Sequence, residues 1–472
     1  MHPDRFGCPI LENYTVTFYI DPQCGDDTAD GRSPETPWKT WSRFTAEAIP
    51  GAALLLKKGY QYPLPLPIVG GTEAAPVSYG AYGEGALPVL VGDLRDVSRE
   101  EDWVAVGDGV WRTRAEFVDA CNLIFDDEVC GNMRYTVEEL REDGEWCQVE
   151  RAGPVYLRCG ISPALRYRRM ELVLFGHGVD LNTAAESHMC FRDLCFQKIG
   201  THGITINDDS SNITILDCDL HWIGGAIFYG DPFSAHYGER FVERRVRYGN
   251  GIQLWSGVKN VLVKGCRIFD IYDGGFCIQG FENTVEHVMI EDNVLWNCGY
   301  DSLDIAHGVR TVDVTFQHNT CWNAGEGWAL QELSRPRYSV LSPDNIGYHC
   351  NLENSMHWND LSELVARRNI FCNAPESRCL NYGPHSVTSL IRIDENCYYQ
   401  EDPNGLVAQI GETAFSIKNM DSYQKHTAWD VHSIVADPMF ADPAAGDFRP
   451  ARESPAVGYG ARGREQKPHR GT

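Results

Sequence analysis

A right-handed parallel β-helix is the fold this sequence predicts, on three observations. A short unit recurs from about residue 190 to residue 400, each unit alternates apolar and polar residues, and turn-forming residues separate the alternating runs. At 472 residues the chain exceeds one ordinary core, so length alone leaves several domains, a large barrel or an elongated repeat. Recurrence selects the repeat.

The recurring unit reads Asp193-Leu194-Cys195-Phe196, Asp217-Cys218-Asp219-Leu220, Gly265-Cys266-Arg267-Ile268, Asp292-Asn293-Val294-Leu295, His318-Asn319-Thr320-Cys321, Arg368-Asn369-Ile370-Phe371 and Glu395-Asn396-Cys397-Tyr398. With marks at 193, 218, 266, 293, 319, 369 and 396, the steps are 25, 48, 27, 26, 50 and 27. Period-two runs such as Asn212-Ile213-Thr214-Ile215-Leu216 and Asn260-Val261-Leu262-Val263-Lys264 make the repeat a β-solenoid, and the Leu pattern of a leucine-rich horseshoe is absent. Coils stack at the spacing of adjacent strands, about 4.8 Å. Inward positions then form ladders of Ile, Leu, Val, Cys and Asn, which gives most of these cysteines and asparagines a structural role.

The two doubled steps predict loops thrown out of a coil at about 226–248 and 333–356, both rich in Tyr, His, Arg, Asp and Pro. Insertions in a solenoid gather on the binding face, and loops of this length are often functional.

Composition narrows the function. Acidic residues number 66 against 41 basic ones, a formal charge of −25, which repels nucleic acid and disfavours a uronate-rich polymer. The N-terminal Met1-His2-Pro3-Asp4-Arg5-Phe6-Gly7 lacks a charged-then-apolar leader pattern and no run reaches membrane-span length, so a soluble protein without a membrane partner is expected, cytoplasmic, or secreted if a leader has been removed. The 17 cysteines, without CxxC pairs of metal type, fit free buried thiols.

Both ends carry phrases that resemble the pectate-lyase-like superfamily of carbohydrate-active β-helix proteins. Near the start these are Phe18-Tyr19-Ile20-Asp21-Pro22, Gly25-Asp26-Asp27, Gly31-Arg32-Ser33-Pro34-Glu35-Thr36-Pro37-Trp38 and Pro76-Val77-Ser78-Tyr79-Gly80-Ala81-Tyr82-Gly83-Glu84-Gly85. Near the end they are Asp437-Pro438-Met439-Phe440, Gly446-Asp447-Phe448-Arg449 and Ser454-Pro455-Ala456. The stretch 111–172, with Asp143-Gly144-Glu145-Trp146 and Pro154-Val155-Tyr156-Leu157, resembles the small β-module inserted early in glycosidase-like members. The expected organisation is therefore opening and capping coils over 1–110, the inserted module over 111–172, and the main helix with its closing segment over 173–472. The resemblance implies action on an oligosaccharide or polysaccharide, without fixing lyase, hydrolase or epimerase.

Overlaying Gly251-Ile252-Gln253-Leu254-Trp255, Gly275-Phe276-Cys277-Ile278-Gln279 and Ser302-Leu303-Asp304-Ile305-Ala306 sends Ile252, Leu254, Phe276, Ile278, Leu303 and Ile305 inward. Gln253, Trp255, Cys277, Gln279 and Asp304 then share one outward face. An aromatic plate stacks on a pyranose, and amides and carboxylates bond its hydroxyls. Substrate contacts are expected from Trp255, Gln253, Gln279, Asp273, His307, Trp328 and Arg335.

Glycosidic hydrolysis needs two carboxyl groups. Asp304, outward and mid-strand, is the first candidate, and the second is Glu332, Glu326 or Asp301. The simplest overlay of Trp328-Ala329-Leu330-Gln331-Glu332 puts Glu332 in the Gln279 and Ala306 column, one coil beyond Asp304 and roughly 8 Å from it. With Trp328 and Leu330 inward, Glu332 moves to the strand end and Glu326 becomes the alternative.

The expected activity is thus a glycoside hydrolase, exo-acting because long loops wall the groove. A lyase or epimerase would instead need a base and a cation, drawn from Arg335, Arg337, Tyr338, Lys259 and His307. These form no basic cluster on the outward face. A non-catalytic glycan-binding solenoid is a third reading and would keep the Trp and Gln platform alone. No cofactor is required. Asp208-Asp209 offers calcium a place, although Asn207-Asp208-Asp209-Ser210-Ser211-Asn212 has the composition of a plain turn. Gly80-Ala81-Tyr82-Gly83-Glu84-Gly85 lacks the Lys-Ser/Thr of a nucleotide loop, and no His/Cys spacing reads as zinc.

Overall fold

The computed structural model describes residues 13–462 apart from 128, 208, 228–246, 256, 281–282, 307–308, 325–353, 359–361, 374–377 and 383–387; of 306, 354–358, 378 and 381–382 it describes the backbone alone. Three long sheets run along the molecule. The first sheet opens on Val16–Ile20, Ala52–Lys57 and Val77–Tyr82, continues through Met189–Arg192, Ser211–Leu216, Lys259–Lys264, Thr284–Glu291, Arg310–Gln317 and Leu364–Arg367, and ends on Ile391–Asp394. The second and third sheets have ten and nine strands, and the chain visits third, first and second in turn. From 179 to 399 the strands of the three long sheets stack in parallel from coil to coil, which is the predicted solenoid, and only the short pair Ala226–Ile227 and Arg247–Tyr248 among the described residues there is antiparallel.

Alternation sorts the side chains as the period-two pattern requires. Ile204, Ile252, Phe276 and Leu303 stack on the inner side of the third sheet, and they join one continuous core with Phe18, Val261, Ile290, Leu295 and Phe371. Fifteen cysteines fall in the described residues, all with free thiols and all but Cys24 buried. Among the described residues no helix is long and apolar enough to cross a membrane.

The recurring sequence unit marks the tight corner between the first and second sheets. Asp193, Asp217, Gly265, Asp292, His318, Arg368 and Glu395 all have φ between 51° and 68° there. Gly and Asp reach this left-handed region at least cost, whereas His318, Arg368 and Glu395 are held in it by the flanking strands. The residue after each points inward. Asn293, Asn319, Asn369 and Asn396 form a ladder in which each Nδ2 donates to the next Oδ1, at 3.0, 3.3 and 3.1 Å. The last, Asn396, donates to Asp430 at 3.2 Å, where the hydroxyls of Tyr398 and Tyr423 also donate. Because Cys195 pairs with Asp219, the residue equivalent to Cys218 is Leu194 rather than Asp193, and the first step is 24.

The opposite corner, between the second and third sheets, is where the chain is extruded. Three long insertions leave from it: 92–178 after Val89–Val91, 224–251 after Asp219–Ile223, and 323–353 after Thr320–Trp322. The last differs from the predicted 333–356, because Asn354–Trp358 already forms a third-sheet strand. The predicted module is also wider than 111–172: its strands run from Leu94–Asp96 to Met170–Leu174, which pair with each other, and Trp103–Gly107 pairs with Val110–Thr113.

The module is clamped to the helix by polar contacts. Lys198 on the second sheet pairs with Asp127 and Glu171 of the module. Asn122 Nδ2 donates to the Gly224 carbonyl at 2.7 Å. Buried Arg247 donates to the carbonyls of Gly225 and Cys121 and to Asn122 Oδ1, and its guanidinium lies 4.6 Å above the Tyr272 ring.

Candidate active site

The corner that extrudes the insertions also carries the acidic residues. Asp273 sits in the turn between Arg267–Ile271 and Phe276–Gln279, Asp301 opens the next third-sheet strand, Asp301–Ala306, and Asp304 lies in its middle. Gly274 makes the approach tight, since a Cβ there would lie 2.3 Å from Cys277 Sγ. The Gly275 amide donates to the Asp301 carbonyl at 2.8 Å, joining the two coils.

Strand pairing bears out the predicted overlay. Gln253 is in register with Cys277 and then Asp304, and Trp255 with Gln279 and then Ala306. Ile252, Leu254, Phe276, Ile278, Leu303 and Ile305 point into the core. The outward residues are nevertheless not a solvated surface. Gln253 and Asp304 are each 6% exposed and Cys277 1%, while Trp255 and Gln279 are half-buried.

The polar side chains are connected. Gln253 Nε2 donates to Gln279 Oε1 and Gln279 Nε2 donates to Asp304 Oδ2, both at 3.2 Å. Burial first, and then the negative charge of Asp304, push the Asp273 carboxyl up to about 7. The backbone amides of Gly249 and Gly274 oppose that rise. On the neighbouring second-sheet strand, burial raises Asp270 to about 6 despite a hydrogen bond from Asn297 Nδ2 at 3.2 Å. The Cys277 thiol is lifted well above its ordinary range by burial and by Asp304, Asp273 and Asp301, which makes it inert as a nucleophile.

Two residues that the sequence reading passed over extend this corner towards the module. His202 accepts at Nδ1 from the Asn250 amide at 2.9 Å, and burial followed by His177 drives it down to about 3, so it is a neutral ring with its proton on Nε2. Asn250 Oδ1 in turn accepts from the Gly274 amide at 3.0 Å, which ties His202 to the Asp273 turn. Spacing could have found them, because His177, His202 and Asn250 each precede a glycine at the start of a third-sheet strand.

The overlay of the following coil needs correction. The strand after Asp301–Ala306 in the third sheet is Asn354–Trp358, with His357 in register with Asp304. The rung after Asp304 is thus the one that holds His357, beyond a 323–353 insertion that short-range overlay cannot see past. Glu332, Glu326, Trp328, Arg335 and His307 lie outside the described residues, as do Arg337, Tyr338 and Asp208. Lys259 is on the first sheet, paired with Glu286 at 3.4 Å. Among the described residues no three His, Cys, Asp or Glu side chains group as metal ligands.

Residues 177–337 match the family model described as right handed beta helix region. In fold the chain is a right-handed parallel β-helix. Solved structures resemble this β-helix at low identity. One titled "Glycoside hydrolase" is 10% identical with a TM-score of 0.47, covering 84% of this chain and 95% of its own. The GH136 lacto-N-biosidase from Eubacterium ramulus is 14% identical with a TM-score of 0.44, covering 88% of this chain and 66% of its own. Pectate lyase Pel9A is 14% identical with a TM-score of 0.37, covering 94% and 91%. No curated protein matches the chain.

Proposed function

We propose that this β-helix is a glycoside hydrolase in which Asp273 is the general acid and Asp304 the ionised carboxylate. One observation carries the reading: two carboxyl groups on consecutive coils have environments that separate their roles. Asp273 is raised to about 7 and holds a proton near neutrality, and the charge of Asp304, which accepts from Gln279, is one cause of that rise.

In the reaction, Asp273 transfers its proton to the glycosidic oxygen as the bond from that oxygen to the anomeric carbon breaks. Asp304 either attacks the anomeric carbon or takes a proton from the water that does. Trp255 supplies an apolar plate at the edge of this face, and Gln279 fixes the Asp304 carboxylate. That three long insertions leave the helix at this one corner supports exo action on short oligosaccharides. His202, whose Nδ1 lone pair is taken by the Asn250 amide and whose basicity is lowered by burial and by His177, is a poor base for abstracting a proton beside a uronate, which weighs against the lyase reading.

The test is a screen of aryl glycosides alongside uronate polymers on the full chain. Release of phenol, with kcat/KM falling above an apparent pKa near 7 and lost in Asp273→Asn, is the expected result. Unsaturated uronate product would overturn the hydrolase, and activity unchanged in Asp273→Asn would remove the acid.

A further inference from the structure

The hydrogen bonds from Gln253 through Gln279 to Asp304 have a direction. A carboxylate only accepts, so Gln279 must present its Nε2 to Asp304 and is left offering Oε1 to Gln253. Gln253 answers with Nε2 and must turn its own Oε1 away from Asp304. That oxygen is buried without a partner. The adjoining rung carries Thr205, in register with Gln253, 4% exposed, and its Oγ1 is likewise buried without a partner. Native proteins seldom leave two neighbouring buried polar atoms unsatisfied, because each costs the loss of its hydrogen bonds to water.

We infer that Thr205 and Gln253 form a subsite for a neutral sugar hydroxyl, two to three rungs or about 10 to 14 Å from Asp304 along the helix; the inference rests on the glycan reading of this face. One hydroxyl satisfies both atoms, donating to Gln253 Oε1 and accepting from Thr205 Oγ1. A carboxylate does not fit, because it cannot donate to the acceptor that the relay turns outward. The neighbouring outward column, Asn207, Trp255 and Gln279, is half-buried and is the side from which a ligand arrives. Asp304 thus sets the polarity of a contact it does not touch. The charged and titratable groups around Asp304 include Asp273 in the turn, Asp301 on its own strand and Cys277 on the strand before, and the rung beside Thr205 carries Asp180.

Binding of disaccharides to the full chain, followed by calorimetry and ligand-observed NMR, tests this without requiring turnover. The probes are cellobiose, xylobiose, lactose and N,N′-diacetylchitobiose, set against digalacturonate and dimannuronate. At least one neutral disaccharide should bind, and the uronates more weakly, because Asp180 beside Thr205 and the Asp273 and Asp304 carboxyl groups repel their charge even where a ring hydroxyl could fill the contact. Thr205→Val, which keeps shape and deletes the hydroxyl, should weaken that binding about tenfold, and Thr205→Ser should restore it. Gln253→Glu should weaken it comparably, because a carboxylate cannot donate to Gln279. Uronate binding as tight as neutral binding, no neutral binding at all, or unchanged affinity in Thr205→Val would each overturn the subsite. Sugar binding that depends on Thr205 without hydrolysis of any aryl glycoside would instead leave the subsite standing and remove the hydrolase.

Discussion

Asp304 lies one coil beyond Asp273, and its charge helps lift the Asp273 carboxyl to about 7. The pair has a measurable effect on stability. The folded value lies above the unfolded value of about 3.9, so the native state binds the proton more tightly. This contribution is complete below about pH 4 and is lost as pH rises through about 7. Asp273→Asn should therefore be more stable than the parent by about 2 kcal/mol at pH 8, after discounting for partial exposure, and no more stable at pH 4. Urea unfolding at the two pH values checks the difference, and equal effects at both would contradict the raised carboxyl.

Asp304→Asn should lower kcat about 1000-fold. The residual activity should lose its upper pH limb at a lower pH than the parent, because one cause of the Asp273 rise has gone. At 6% exposure Asp304 is not a surface residue, yet the Asn amide can still accept from Gln279. Thermal unfolding should consequently stay within about 1 kcal/mol of the parent. A pH profile of kcat/KM separates this from a folding defect.

Arg247→Met tests the clamp between module and helix. The guanidinium donates to three acceptors from two segments and covers Tyr272, the residue before Asp273. Its loss should cost about 3 kcal/mol, since hydrogen bonds from a buried charge are stronger than neutral ones. Limited proteolysis should then cut the 92–178 insertion before the coils. Simultaneous cleavage of both would show the module not to be separately docked.

Asn319→Ala should destabilise by about 3 kcal/mol, because Asn293 and Asn369 each lose a buried partner. Replacing Arg368 in its exposed pair with Glu395 should cost less than about 1 kcal/mol. Chemical unfolding of the two variants side by side is the measurement, and a comparable loss in both would deny the ladder its special weight.

Trp255→Ala should raise KM more than it lowers kcat, as expected of a plate that holds the sugar without joining the chemistry. Steady-state kinetics on the best aryl glycoside decide it. A fall in kcat with KM unchanged would move Trp255 into the reacting centre.

The β-helix was legible in the sequence because each coil is local. Its tight corner needs a left-handed residue followed by an inward one, and Asp217-Cys218, Gly265-Cys266 and Asp292-Asn293 announce that pair at a nearly fixed period. Period-two alternation likewise placed Gln253, Gln279 and Asp304 on one face, since the pleat leaves no other choice. Tertiary structure alone decided which strand follows Asp304, because pairing with Asn354–Trp358 spans an insertion whose length no local pattern encodes. It also decided the rise of Asp273, which depends on burial and on a carboxylate from another coil. Stacking also holds the corner between the first and second sheets shut over residues 293–396, because each asparagine of the ladder there must bond its neighbour one coil on.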